Sequence, residues 1–171
     1  ACKAAEKVNM RCLAGRGGLS DLLRINQPAV LFMDGEGKGQ QYHVVITALT
    51  DKTANFSVAG APRRVSLATV APLWTGGYVT LWNAPPGGQG VLAAGSRGPA
   101  VVWLRQGLAR LQGGDADGPA LYDLDLVRRV KAFQLAEGMV PDGVAGALTL
   151  IRLNLRLDKR LPRLTSAATG G

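Results

Sequence analysis

Residues 95–154 read GSRGPAVVWLRQGLARLQGGDADGPALYDLDLVRRVKAFQLAEGMVPDGVAGALTLIRLN, and this stretch decides how the second half of the chain folds. Val101, Leu104, Leu108 and Leu111 recur at helical spacing in its first part, Leu126, Val130 and Phe133 in its second, and Val144, Leu148 and Ile151 in its third. Pro99 suits the first turn of a helix, with Ser96 upstream as a capping candidate. Gly113-Gly114 ends the first helical segment and Gly138 the second, because glycine accepts the left-handed backbone that closes helices. Asp142-Gly143 makes a turn, and Asp142 or a neighbouring polar group is expected to cap the third segment. Three short amphipathic helices of this kind close one small core, in which each of these apolar residues is expected to pack.

The spaced elements of this stretch resemble the peptidoglycan-binding module of bacterial envelope proteins. The shared features are the Gly95-Ser96-x-Gly98-Pro99-Ala100-Val101 opening, Leu104, Val130-x-x-Phe133-Gln134, and Asp142-Gly143-x-x-Gly146-x-x-Thr149. The resemblance implies a ligand, the cell-wall polymer, and a compartment, the bacterial periplasm. It also implies a shallow groove between helices, with Arg105, Gln134, Asp142, Val144 and Thr149 as candidate contacts. Arg105 would meet a stem-peptide carboxylate, and Gln134 and Thr149 would meet amides. Asp142 equally suits a turn or cap, Gln134 equally suits bracing the Asp142 loop, and Tyr122 equally suits packing under the second helix.

Outward from the module, Ala84-Pro85-Pro86-Gly87-Gly88-Gln89-Gly90 refuses both helix and central strand and reads as a boundary. The sequence therefore predicts a first domain over 1–86, the module over 91–154, and a flexible basic tail over 155–171 that holds Pro162 and a run of small residues. Ala1 falls inside a domain, so the chain reads as a piece of something longer. The formal charge is +8. It is unevenly spread: nine basic and five acidic side chains in 1–86, seven and six in the module, four and one in the tail. Such a protein attracts polyanions. Nucleic acid is disfavoured, since helix-turn-helix pattern, zinc-finger spacing and aromatics interleaved with the basic residues are all missing. Anionic envelope polymers account for the charge equally well. No apolar run reaches the ~18 residues of a membrane span. Gly35-x-Gly37-x-Gly39 lacks the lysine and helix of a phosphate-binding loop, and two cysteines with one distant histidine have no zinc spacing, so neither cofactor nor metal is expected.

Residues 1–86 have the texture of an α+β domain with an antiparallel sheet. Segments 29–33, 42–49, 54–58, 63–67 and 78–82 are short and rich in β-branched or aromatic residues. The glycines at 35, 37 and 39 predict a hairpin loop, and Ala59-Gly60-Ala61-Pro62 another turn. Helices are predicted from Ser20 until Pro28 forbids continuation, from Ser66, and through Ala4-Ala5-Glu6-Lys7. Trp74 and Trp82 follow apolar patterns and read as core. Trp103 lies off the Leu104–Leu108 stripe and reads as either partly exposed or packed between domains.

Residues 19–82, which include LSDLLRINQPAVLFMDGEGKGQQYHVVITAL and RRVSLATVAPLWTGGYVTLW, resemble the second half of the bacteriocin-processing cysteine peptidases, a papain-like fold. Followed by the wall-binding module, this half-fold resembles the periplasmic region of the general secretion pathway protein A family of type II secretion. That resemblance implies a cytoplasmic ATPase and a membrane span elsewhere in the protein. It also implies oligomerisation, general secretion pathway protein B as membrane partner, and a role in inserting the outer-membrane secretin. His43 takes the position of the peptidase family's catalytic histidine, but the acid expected near Val58-Ala59 is absent, Asn55 is of uncertain strand phase, and neither Cys2 nor Cys12 sits in the nucleophile's context. His43 therefore reads as vestigial and the domain as non-catalytic. A wall-targeted cysteine peptidase or hydrolase is the rival reading. The two cysteines are ten residues apart, flank the first predicted helix, and belong to an oxidising compartment if the module is periplasmic, so a Cys2–Cys12 disulfide is expected. A catalytic thiol or metal ligation remain the alternatives.

Overall fold

In β2 (Ala29–Asp34), Ala29, Leu31 and Met33 are buried while the residues between them are not, the alternation of a strand with one covered face. A computed structural model of the chain describes residues 2–35, 39–88 and 90–165. Gly37 of the first hairpin loop, Gln89 of the boundary and the last residues of the tail lie outside them. The elements run α1 (Cys2–Glu6), β1 (Met10–Arg16), α2 (Leu19–Ile25), β2, β3 (Gln41–Leu49), β4 (Thr53–Val58), β5 (Ala61–Ser66), α3 (Leu67–Val70), β6 (Trp74–Asn83), α4 (Pro99–Gln112), α5 (Leu124–Ala136) and α6 (Ala147–Leu157). Contacts divide the chain into two compact units, Ala1–Arg11 with Trp82–Leu161, and Cys12–Leu81 with Pro162–Gly171.

One sheet orders its six strands β1-β6-β2-β3-β4-β5, and β2 pairs antiparallel with both β3 and β6. This is the α+β arrangement with an antiparallel sheet that the sequence indicates. Leu31, Met33, Ile46 and Phe56 share one face, and Val70 of α3 lines a pocket with Met33 and Phe56 there; Leu22 and Ile25 of α2 are buried as well. Pro28 ends α2 as expected, after Asn26 has turned left-handed at φ 52°. The Ser66 hydroxyl caps α3 by accepting from the Thr69 N–H at 3.2 Å. The turn at 59–62 is tighter than predicted. Ala59 (φ 50°) and Gly60 (φ 81°) alone make it, and Pro62 already belongs to β5. Two positive φ values match the primed hairpin turn, whose twist suits paired strands.

β1 was not predicted. Its sequence, MRCLAGR, has two arginines, a glycine and no clean alternation, and Cys12 lies in it rather than after a helix. Gly15 in this strand is required by its neighbour: a Cβ there would stand 2.4 Å from the Tyr78 hydroxyl.

In the helical unit α4, α5 and α6 bury Val101, Leu104, Leu108, Leu126, Val130, Phe133, Leu150 and Ile151, each at most 4% exposed. Full burial of such a side chain stabilises by about 1.5–3 kcal/mol. Gly107 allows α4 and α6 to approach, since a Cβ there would lie 2.9 Å from Leu157. Leu111, expected in the core, is exposed in the last turn of α4, and Val144 precedes α6 instead of opening it. Both expected caps are corrected. Glycines 98 and 146 occupy the N-cap positions of α4 and α6, Ser96 instead accepts from the Ala93 N–H, and Asp142 lies ahead of the helix it was expected to cap.

The predicted limits also shift. The N-terminal residues join the helical unit, where the Ala84 N–H donates to the Asn9 carbonyl at 3.0 Å and the Asn9 side-chain amide donates to the Ala84 carbonyl at 3.1 Å. The tail does not begin at 155: α6 runs to Leu157, and Leu155 is buried. Leu164 is buried in the sheet unit, where its carbonyl accepts from the Leu49 N–H and Thr165 donates to the Asn26 side chain. The small residues and Pro162 masked the leucines at 155, 161 and 164, which continue an apolar pattern.

Candidate functional site

Gln134 sits on the last turn of α5, directly after Phe133 of the apolar stripe, and is 2% exposed. A buried amide needs all of its groups partnered. Its Nε2 donates toward Asp142 Oδ1 (2.8 Å), the Val144 carbonyl (3.0 Å) and Thr149 Oγ1 (3.2 Å), and its Oε1 accepts from the Gly143 N–H at 2.9 Å. A carboxylate and a carbonyl only accept and an N–H only donates, so the amide has one possible orientation. Asp142 Oδ1 also accepts from the Val144 N–H at 2.8 Å. That backbone bond first, and the Gln134 bond second, hold the Asp142 carboxyl below its ordinary pKa. From the other side the buried Tyr122 hydroxyl donates to the Gly143 carbonyl at 2.8 Å. Burial, reinforced by the Asp142 charge, raises the Tyr122 pKa, so the phenol remains a donor. Leu92 and Ala145 exchange a further pair of backbone bonds.

Four of the five candidate wall contacts, Gln134, Asp142, Val144 and Thr149, thus form one cluster. Gln134 and Thr149 are buried in it, Val144 is half-buried and Asp142 is exposed. The loop they hold presents Val140, 77% exposed, immediately before Pro141-Asp142.

Arg105 is elsewhere. Its side chain is 5% exposed, and its guanidinium donates to the Leu121 carbonyl at 3.2 Å and to Asp123 Oδ2 at 2.9 Å, with Asp125 at 3.6 Å. Asp123 is the N-cap of α5 and accepts from the Leu126 N–H. That bond, followed by Arg105, lowers the Asp123 pKa. The expected role of Arg105 as an open carboxylate receptor does not fit this placement. A helical stripe reveals that a position faces the core, but not that a charged residue there already has a carboxylate partner.

Sequence reading missed Glu137, whose side chain is 6% exposed and pairs with Arg152 at 2.7 Å and Arg156 at 3.3 Å. The i, i+4 spacing of the two arginines on α6 was a usable signal.

In the sheet unit His43 is exposed on β3 and meets Phe32 edge-on, ring centroids 4.9 Å apart. Asn55 stands opposite Ala48 and accepts from Arg64 Nε at 3.3 Å, turned toward β5. Cys2 and Cys12 are both disulfide-bonded. Trp82 is buried, while Trp74 is half-buried and donates to the Gly77 carbonyl at 2.9 Å. Among the described residues, no group of three or more His, Cys, Asp or Glu could hold a metal ion, and no helix is long and apolar enough to cross a membrane.

Residues 97–153 match the family model described as "Putative peptidoglycan binding domain". Over 163 residues the chain is 29% identical to "General secretion pathway protein A" of Aeromonas hydrophila, covering 95% of this chain and 30% of that protein. Over 152 residues it is 25% identical to "Putative general secretion pathway protein A" of Escherichia coli, covering 89% of this chain and 31% of that protein. The chain thus spans about a third of the length of these curated relatives. A periplasmic domain of the EpsAB fusion protein of the Vibrio vulnificus type II secretion system superposes with a TM-score of 0.60 at 26% identity, over 85% of this chain and 64% of that one. The resemblance to the periplasmic region of general secretion pathway protein A, read from the residues, is shared by sequence relatives and solved structure alike.

Proposed function

We propose that this chain is the periplasmic part of a type II secretion assembly protein, which holds peptidoglycan through its helical unit and a partner protein through its sheet unit. The observation that carries the wall half is the loop over 139–146, within the stretch that matches the peptidoglycan-binding family. Gln134 pins this loop from beneath and leaves Asp142, Val144 and Val140 on its outer side. Gln134 and Thr149 then position the loop, Asp142 and Val144 touch the polymer, and Arg105 fastens α4 to the start of α5. The partner half rests on the resemblance to the general secretion pathway protein A family, which implies general secretion pathway protein B as partner and insertion of the secretin as the task. A non-catalytic sheet unit fits this reading, because both cysteines are in disulfide linkage and neither supplies a thiolate to His43.

Co-sedimentation with purified peptidoglycan tests the wall half. The whole chain should pellet with the polymer at moderate salt, where loosely held counter-charges are screened. Val140→Ser should weaken pelleting about threefold to tenfold through lost apolar contact, with the melting temperature unchanged. Equal pelleting of Val140→Ser and the parent chain would remove this loop from the binding surface.

A further inference from the structure

β5 is one edge of the sheet, and the register with β4 determines what that edge offers. The two-residue turn closes on the Val58–Ala61 pair, and main-chain groups alternate direction along an antiparallel strand. Ala61, Arg63 and Val65 therefore turn their N–H and C=O toward β4. Pro62 has no N–H and faces outward without disturbing the ladder. Arg64 then points its N–H and C=O outward, ready for a further strand.

Beside this edge is a pocket of about 310 Å3 whose walls include Met33, Val44, Phe56, Val65, Val70 and Leu73. Cross-strand pairing puts Arg63 opposite Phe56, so Arg63 stands on the pocket's face of the sheet, and Arg64, opposite Asn55, stands on the other. Both arginines are exposed, and the residues that line the pocket include no acidic one. His43 shares a face with Phe32, out of step with Val44, so the pocket lies on the opposite face of the sheet from the vestigial histidine.

We infer that an extended acidic segment of a partner protein, with one apolar residue set among carboxylates, adds to β5 as a seventh strand. Its apolar side chain fills the pocket, and its carboxylates meet Arg63 and Arg64. An edge supplies affinity through main-chain bonds, and the pocket and charges supply selection. A second copy of β5 is a poor occupant, since the arginines of two such strands would face each other. This inference rests on the partner-binding half of the proposed function and gives that half a location.

The test uses the whole chain and a fluorescein-labelled, acetylated peptide of glutamates around a single central leucine, followed by anisotropy. Saturable binding is expected. Replacing glutamate by lysine, or N-methylating alternate amides of the peptide, should each weaken it about tenfold or more, the scale of one charge-assisted or main-chain bond made in a partly dry site. Arg63→Glu should do the same with an unchanged thermal melt, because its side chain is exposed. Undiminished binding of the N-methylated peptide, or of Arg63→Glu, overturns the proposal, as does no binding at all. Capture of the partner's periplasmic domain separates the two readings. Capture that survives Arg63→Glu keeps the partner and rejects this edge. Peptide binding without capture keeps the edge and rejects the partner.

Discussion

The two units treat their polar groups in opposite ways. In the helical unit the polar side chains near the matched family's stretch are directed inward: Gln134 bonds three groups of one loop and the Thr149 hydroxyl of α6, Arg105 joins a helix cap to a carbonyl, and Glu137 is enclosed by two arginines. In the sheet unit the cations at the edge, Arg63 and Arg64, face solvent beside an apolar pocket. A polymer-binding surface built over a wired interior is rigid and presents few groups. An edge strand keeps main-chain groups open and acquires its order from whatever pairs with it. Of the candidates chosen in the helical unit, Gln134, Thr149 and Arg105 are buried and already hydrogen-bonded, whereas Asp142 and Val144 reach the surface.

The largest effect that would break this contrast is at Gln134. Gln134→Ala would leave the Gly143 N–H and Thr149 hydroxyl without their partner and open a void. The cost is expected at about 3 kcal/mol, combining lost bonds with unpartnered buried groups. Calorimetry should show a fall in melting temperature, and wall binding should fall with the folded fraction. Loss of wall binding at an unchanged melting temperature would make Gln134 a contact residue instead of a brace.

Arg105 sharpens the same comparison. Arg105→Met keeps much of the side-chain volume but strands the Leu121 carbonyl and removes a cation from Asp123, for an expected loss of about 2 kcal/mol at neutral pH. Because the folded-state pKa of Asp123 is depressed, its stabilisation is present above the unfolded carboxyl value of about 4 and is lost as pH falls through the lower folded value. The gap in denaturation midpoint between parent and variant should therefore narrow below about pH 4. Pelleting with peptidoglycan per folded molecule should not change. A variant with parental stability and no pelleting would restore Arg105 to the binding surface.

The parts of the molecule legible in the sequence are those where a period and a partner coincide. Leu104, Leu108, Val130 and Phe133 lie in one helical core, and Ala29, Leu31 and Met33 alternate along a strand. β1 was illegible because its burial is only partial along most of its length, so no two-residue alternation developed. The ordered stretch from 155 to 165 was hidden by composition, since isolated leucines among basic and small residues give no local signal of a distant binding site. The Gln134 cluster was legible as a set of residues but not as a role. The family resemblance groups Gln134, Asp142 and Thr149, but only the structure shows that the amide groups of Gln134 are already engaged.

The smallest effect concerns the hairpin that delivers β5 to the edge. Ala59 is held at φ 50°, where its Cβ crowds the following carbonyl, whereas Gly60 takes the same sense of turn without that contact. Ala59→Gly removes a left-handed penalty of about 1 kcal/mol but frees the unfolded chain, so the net gain should be about 0.5 kcal/mol. The gain would appear as a melting temperature higher by a degree or two for a chain of this size. The helical unit has no share in this turn, so peptidoglycan pelleting should be untouched. Binding of the acidic peptide at β5 should hold or tighten slightly, because a relaxed turn keeps the edge in register. A destabilised Ala59→Gly would mean that the strain at Ala59 is offset by a contact of its methyl group, and the turn, rather than the strand pairing, would then be what sets the edge.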